Sequence, residues 1–535
     1  MDALLSLLKA ASAVTVALIF PTLFKRATLY LSTKHIPGPS YTGFVAGNLQ
    51  ECIDDEKAVV MNQWVEKYGK VIRIWGMLGS PDVFLADVKG ISHVLKHDSV
   101  GYQKPDETRY LLERVTGHGI FVVEEDEHRK QRKVLNPAFG TAELRAITDI
   151  FFQKSLELRD AWAALIHCSN GLEKAELNAT DWVSRLTLDI IGHAGFNYQI
   201  NAISGRHNEL NEAFLHMNEG GNFLTLPVVL KLMFPVLRAL PEANKEFRRA
   251  QATLARVARE LYDQSRAAVE EGGELQAGGR DLFSLLIRSN MKNDIPQAQR
   301  LSKEEVMAQV PTFLAAGHDT TSNSATLALY LLCTHPQVQS KLRTELLSVP
   351  TDSPSMEELN ALPYLDAVVR EALRVLGPVP TTVRVATKDD VIPLRDPFVD
   401  RYGRERDVLE VKKGQEFILP LIAINKDKSL WGEDAEEFKP ERWENPLPEA
   451  VNAIPGVFSN MMTFLGGPHA CIGWRFSVVE TKAILFTLIR AFELELAVPQ
   501  EDIMIKRGFA VHRAEVRGKE REGGMLPIVI RPVGI

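Results

Sequence analysis

Ten residues near the C-terminus, Phe464-Leu465-Gly466-Gly467-Pro468-His469-Ala470-Cys471-Ile472-Gly473, restrict this chain more than any other part of it. A Gly-Gly-Pro turn leads into Cys471, a further glycine follows, and a helical pattern then runs from Trp474 to Phe492. That order sets Cys471 just before or at a helix N-terminus. Backbone N–H groups and the positive dipole end there favour a thiolate over a thiol. Glycines on both sides let a flat macrocycle approach the backbone. A single thiolate with no cysteine near it suits haem iron better than zinc or an iron–sulfur cluster, which take several protein ligands. Cys52, Cys168 and Cys333 are far apart, form no CxxC pair and read as small buried hydrophobes.

The complete pattern F-x-x-G-x-x-x-C-x-G resembles the haem-binding loop of the cytochrome P-450 superfamily, and the run GGPHACIGWRFSVVE looks most like fungal members. The resemblance implies heme b with its iron held axially by Cys471, in a loop shaped by Phe464, Gly467 and Gly473. His469 stands two residues before the cysteine, where the family most often has arginine. A histidine there can donate one hydrogen bond to a propionate.

The long stretch from Ser302 to Thr334 is the next constraint. Ser302-Lys303-Glu304-Glu305 is a capping-box signature, and His335-Pro336 ends the pattern, so one helix is expected over this span. Its middle, Ala316-Gly317-His318-Asp319-Thr320-Thr321, goes against helix propensity. Taken alone, Thr320 reads as a threonine bonded back to the Ala316 carbonyl. The hexamer, however, resembles the family's oxygen-activating pattern. By that resemblance Thr320 hydrogen-bonds the dioxygen being activated and Asp319 helps relay protons, in a locally opened helix that admits a few waters. His318 occupies a variable position and is assigned no role.

Glu371 and Arg374 are three residues apart, on one helix face. Pro440-Glu441-Arg442-Trp443 lies between them and Cys471, in the order the family shows. The resemblance implies an internal triad of Glu371, Arg374 and Arg442 that supports the haem site without taking part in chemistry. It also gives propionate contacts to Arg384, and to His128 and Arg132, which keep the spacing of a W-x-x-x-R motif with histidine in place of tryptophan. Substrate contacts are expected from Phe121, Phe313, Val379 and Phe509, an apolar wall.

Residues 3–24 are mostly apolar. About 22 residues at ~1.5 Å each reach ~33 Å, enough for a hydrocarbon core. Lys25 and Arg26 follow at once, which places the rest of the chain on the cytoplasmic side. A cleaved signal peptide is the rival reading, but no clear A-x-A site follows. Residues 25–45 then read as a basic linker stiffened by Pro37-Gly38-Pro39.

The remaining body, 46–535, shows no repeat. Helical patterns dominate, as at 138–163 and 246–270, with a glycine-rich connector at 272–279 and a resumed helical period from Asp281. Short strand-like segments occur at 71–75, 83–86, 417–421 and 526–530, and the charged stretch 395–407 reads as a solvated loop. The expected fold class is mainly α with a minor β portion: a cytochrome P-450 fold, one large haem-thiolate catalytic domain behind an N-terminal transmembrane anchor at 1–24. The 62 Lys and Arg residues against 69 Asp and Glu give a net charge of −7, which argues against nucleic acid as a partner.

The implied activity is a monooxygenase that hydroxylates, or otherwise oxidises, a lipophilic small molecule, as fungal relatives do in secondary metabolism or detoxification. No G-x-G-x-x-G or Walker loop occurs, so NADPH acts only indirectly. The resemblance implies a membrane-bound NADPH–cytochrome P-450 reductase, with cytochrome b5 as an optional second donor, at the endoplasmic reticulum. Arg132, Lys133 and Arg475 are the expected docking residues. Two alternatives stand beside this reading: a haem-thiolate desaturase or isomerase without net oxygen insertion, and a non-catalytic haem-binding membrane protein.

Overall fold

The computed structural model describes residues 24–43, 46–56, 59–97, 100–168, 173–219, 225–270, 281–291, 296–507 and 511–533. The expected anchor, except for Phe24, and the connector at 272–279 lie outside the described residues. Among those described, no helix is long and apolar enough to cross a membrane. The chain gathers into two compact units. The first takes the described residues up to Pro105 with Pro380–Gly432 and Glu449–Ala470. The second takes those of Asp106–Val379, Glu433–Pro448 and Cys471–Ile535.

The first unit is built on a five-stranded sheet in the order Val71–Trp75, Pro81–Leu85, Glu416–Leu419, Thr382–Ala386, Tyr102–Gln103. Neighbours are antiparallel except Pro81–Leu85 and Glu416–Leu419, which run parallel with Val83 opposite Phe417. The β-branched and aromatic content of these segments suits a pleated, buried surface. Met61, Trp64 and Cys52, from the short helices Val59–Tyr68 and Leu49–Asp54, pack on Ile72, Ile74, Phe84 and Ile418. Cys52 is thus the buried hydrophobe it was expected to be.

Two readings of this unit are corrected. Residues 24–33 are helical, so only the later part of the 25–45 span is an extended connector, held where the Pro37 carbonyl accepts the Arg73 N–H at 2.8 Å. The stretch 395–407 is no solvated loop: it forms part of an antiparallel ribbon, Asp390–Val399 against Glu405–Val411. Ile392, Leu394, Phe398, Leu409 and Val411 are buried while charged residues alternate outward. The alternation of an amphipathic strand was there to read, but the density of charge concealed it. The turn between the strands is pinned by Asp400, whose carboxylate accepts the N–H groups of Tyr402 and Arg404.

The second unit is mainly helical, as expected. Its long members are Thr141–His167, Ala179–Phe196, Lys245–Glu270, Gln309–Thr334 and Trp474–Ala491. Small strands accompany them, Ala175–Asn178, Pro527–Pro532 and Phe492–Leu496 in one sheet, and Ile503–Arg507 with His512–Val516 in a hairpin. The expected single helix from Ser302 is two helices. Ser302 does cap the first, with both arms of the capping box made to Glu305, but Lys303–Met307 stops and Gln309–Thr334 begins after Ala308. Pro311 has no N–H for the Met307 carbonyl, and its ring crowds that carbonyl, so the break falls one turn before the proline.

The buried charge cluster of this unit is larger than the expected triad. Glu371 and Arg374, on helix Pro363–Val375, have 0% exposed side-chain surface. Arg374 grips the carboxylate with Nε at 2.9 Å from Oε2 and Nη2 at 2.7 Å from Oε1. Arg442 Nε donates to Oε1 at 3.2 Å, the Lys439 N–H to Oε1 at 3.1 Å, and the Trp443 indole N–H to Oε2 at 2.9 Å. Arg442 also holds Asp434 at 2.7 Å, and this contact, with Lys439 behind it, lowers the Asp434 carboxyl to about 2. Removing the Glu371 charge leaves the buried Arg374 guanidinium uncompensated, while Arg442 keeps Asp434. Glu371→Ala is therefore expected to lower stability by on the order of 3–5 kcal/mol, read as a reduced urea midpoint at an unchanged denaturant slope. A loss below about 1 kcal/mol, the range of an exposed ion pair, would contradict this assignment.

Candidate active site

Cys471 lies in the second unit, ahead of helix Trp474–Ala491, for which Gly473 is the N-cap. It thus stands where the sequence placed it. Cys471 keeps accessible surface, yet protein packs around it. Burial raises the thiol above its usual pKa, against the opposing pulls of the Gly473 N–H and the Arg132 guanidinium. A helix end offers only about half an elementary charge, and here desolvation of the anion outweighs it.

The rest of the loop belongs to the first unit. Phe464 meets the edge of Phe458, with centroids 5.7 Å apart. Gly467 has φ 74°, and a Cβ there would sit 2.2 Å from the Leu95 carbonyl oxygen. This glycine is therefore demanded by close approach of the chain to itself, a different reason from the macrocycle contact expected. His469 Nδ1 lies 3.4 Å from Lys104 Nζ. Arg384 is buried in strand Thr382–Ala386, donating to Thr382 Oγ1 at 3.0 Å and the Val383 carbonyl at 2.8 Å.

In the second unit, helix Gln309–Thr334 runs unbroken through the expected opening. Gly317 is accounted for by packing: a Cβ there would meet Ile191 Cδ1, on helix Ala179–Phe196, at 3.0 Å. Thr320 Oγ1 donates to the Ala316 carbonyl at 2.6 Å, which is the plain back-bonded arrangement. Ala316 is the one exposed residue among 309–332, and Thr320, four residues on, keeps partial exposure beside it. Asp319 turns elsewhere. Arg513 Nη2 reaches both its carboxylate oxygens at 3.1 Å, and Asn323 Nδ2 donates to its Oδ1 at 3.2 Å. His318 is buried with Nε2 2.9 Å from Ser184 Oγ, and burial lowers its pKa.

Arg132 and His128 share helix Glu125–Leu135. His128 is buried. Arg132 is half-buried, donates to Asn136 at 2.9 Å, and is drawn down in pKa by burial while Cys471 pulls it up. Of the expected apolar wall, Phe313 is buried edge-on to Phe139 at 5.5 Å. Val379 is partly exposed, Phe121 is exposed, and Phe509 lies outside the described residues.

Sequence reasoning did not find Arg513 or Glu480. Arg513 is 194 positions from Asp319 and carries no local signal. Glu480 is fully buried in helix Trp474–Ala491, and burial, opposed by Thr321, raises its carboxyl well above the usual range. Its place among Val478, Val479 and Ala483 was the available hint.

The donor set around Cys471 fits a haem. Among the described residues no three His, Cys, Asp or Glu side chains are arranged to hold a metal ion. A metal bound to Cys471 therefore needs its other ligands from the group that carries it, which a porphyrin supplies and zinc does not. The family model described as Cytochrome P450 matches residues 37–518. Cytochrome P450 monooxygenase 205 of Postia placenta (strain ATCC 44394 / Madison 698-R) is 46% identical over 543 residues, covering 99% of this chain and 98% of the relative. Cytochrome P450 monooxygenase 128 of the same strain is 45% identical over 508 residues, covering 93% and 92%. Cytochrome P450 monooxygenase claW of Ampulloclitocybe clavipes is 34% identical over 511 residues, covering 94% and 93%. With the motifs, the donor set and these relatives in agreement, the chain belongs to the cytochrome P450 family, as a haem monooxygenase whose iron is ligated by cysteine.

Proposed function

We propose that Cys471 would hold the haem iron and that the enzyme hydroxylates a lipophilic small molecule at a membrane, with electrons from an NADPH-dependent reductase. The observation that carries the ligand assignment is the isolated, accessible thiol ahead of helix Trp474–Ala491, with the Arg132 guanidinium acting on it. The haem supplies dioxygen activation and oxidation of a C–H bond. The chain supplies the rest. Cys471 would hold the iron as thiolate. Arg132 and His128 are suited to the propionates by charge and hydrogen bonding; for His469 and Arg384 the family resemblance alone carries that role. Thr320 has a hydroxyl that a small χ1 change releases from Ala316, and Asp319 brings a partly exposed carboxylate next to it in sequence for proton delivery. The rings of Phe139, Phe196 and Phe313, with centroids 5.5 and 6.4 Å apart, suit an apolar substrate and exclude water.

Membrane association is supported by residues 226–240, where Leu226, Leu230, Met233, Val236 and Leu240 are all exposed. So much apolar surface on one short segment suits contact with lipid. With the apolar N-terminal stretch, it favours a single-pass anchor in the endoplasmic reticulum and a cytoplasmic catalytic body. Lys133 and Arg475 are exposed and remain the docking cations. Half-buried Arg132 is better suited to the cofactor than to a partner.

Three measurements test this reading. The dithionite-reduced, haem-loaded protein under carbon monoxide should show the red-shifted Soret band of thiolate ligation, and Cys471→Ser should lose it. Its absence from folded, haem-loaded wild type would sink the ligand assignment. Reconstituted with reductase and NADPH, the enzyme should add one oxygen atom to a member of a panel of terpenes, fatty acids and polycyclic aromatics. In that assay Lys133→Glu with Arg475→Glu should raise the reductase KM several-fold, less so at high salt; an unaltered KM removes these residues from docking. In protein lacking residues 1–23, so that the apolar N-terminal stretch does not dominate, Leu226→Asp with Val236→Asp should weaken partition onto phosphatidylcholine vesicles, and undiminished binding would deny segment 226–240 a lipid contact.

A further inference from the structure

Asp319 is the acid to which proton delivery was assigned, but its side chain is not aimed by its own helix alone. The long central helix supplies one contact, from Asn323 one turn on, at 3.2 Å to Oδ1. The other two come from Arg513 on strand His512–Val516 of the C-terminal hairpin, with a single Nη2 at 3.1 Å from each carboxylate oxygen. One nitrogen thus bridges both oxygens, and with the Asn323 contact it restrains where the carboxylate sits. The side chains retain 36% and 27% exposure for Arg513 and Asp319, so the pair is reachable by solvent protons and weak enough to open. Arg513 is itself placed by a hydrogen-bonded frame. The neighbouring His512 N–H bonds the Pro378 carbonyl at 2.6 Å, the Met525 N–H bonds the Ala514 carbonyl at 2.7 Å, and strand Ile503–Arg507 pairs along the hairpin.

We infer that Arg513 is a positioning residue for proton delivery, orienting the Asp319 carboxylate so that protons from solvent reach the oxygen being reduced. The inference rests on the reading of Asp319 as the relay acid and extends it to a residue from another element of the fold. The side chain neither gains nor loses a proton in the step, since a guanidinium stays protonated throughout. The proton taken up by Asp319 from water is the one it passes on, and the acid returns to its carboxylate.

The consequence appears in how electrons from NADPH are divided. Dioxygen with two electrons and two protons gives hydrogen peroxide; with four electrons and four protons it gives two waters. Slower delivery of protons to the bound oxygen favours escape as peroxide. The experiment takes the full-length, haem-loaded enzyme with reductase and NADPH, and measures peroxide released per NADPH consumed in H2O and D2O. Arg513→Met should raise peroxide per NADPH several-fold and enlarge the solvent isotope effect, Arg513→Lys should recover part of the loss, and both should keep the wild-type carbon monoxide band. Turnover driven by cumene hydroperoxide, which arrives with its O–O bond already reduced, should be unchanged in both. Asp319→Asn should behave like Arg513→Met, and the double variant should be no worse than the more severe single one, because the two act in series. If Asp319→Asn raises peroxide release and Arg513→Met and Arg513→Lys leave it at wild-type level, the inference about Arg513 is overturned while Asp319 keeps its role. If neither position matters, the reading of Asp319 fails first. Additive effects in the double variant, or an equal fall in hydroperoxide-driven turnover, would make Arg513 a structural residue only.

Discussion

A carboxylate with no exposed surface, Glu371, is the interaction on which the order of the second unit rests. Isolated, such an anion would cost several kcal/mol to bury. It persists because five N–H groups converge on its two oxygens, from Arg374 twice, Arg442, Lys439 and Trp443. Three of the residues involved, Lys439, Arg442 and Trp443, are positioned by chain that has little regular structure of its own: segment 433–448 contains only the short 3-10 turn Pro440–Glu444. Its conformation is therefore specified from outside, by hydrogen bonds to one helix. That helix, Pro363–Val375, also carries Asp366, which takes the buried Lys482 ammonium at 2.7 Å. Lys482 lies on Trp474–Ala491, the helix that Cys471 precedes. Two ionic contacts thus carry positional order from Glu371 to the element that aims the thiol.

The central helix solves a different problem. Its polar residues are poor helix formers, yet it stays continuous because their side chains serve its own backbone. Thr320 donates to the Ala316 carbonyl, Asn323 to that of Asp319 and Ser324 to that of Thr320. Each such bond adds a second donor to a carbonyl already in the helical ladder, which loosens the ladder without severing it. The helix therefore keeps a soft segment beside its one exposed residue, Ala316. Gly317 removes the side chain that would collide with Ile191, so packing and softness meet at one turn.

The sequence was most informative where function and local geometry coincide. The Cys471 loop and the capping box at Ser302 were legible because each is a short pattern whose spacing has a physical reason; the Glu371, Arg374 and Arg442 cluster was legible only through the family resemblance, since Arg442 lies 71 positions from Glu371. Periodicity found the long helices and four of the strands. It failed at Asp390–Val399 and Glu405–Val411, where charged outward positions hid the alternation, and at Pro311, where the helical pattern continues across a break in the hydrogen bonds. The partners Asp434 and Arg513 were illegible for a plainer reason. A charge on the surface of a sequence carries no mark of its opposite number, and only the fold brings Arg513 to Asp319.

The thiol shows how local geometry and the cofactor would share the work of ionising it. A helix end and Arg132 both favour the anion at Cys471, yet burial defeats them and the sulfur holds its proton more tightly than a free cysteine. Iron changes the balance, since a coordinated thiol loses its proton outright. Deprotonation and capture of the metal are therefore a single linked event, and affinity for the cofactor must rise with pH until the thiol would ionise unaided.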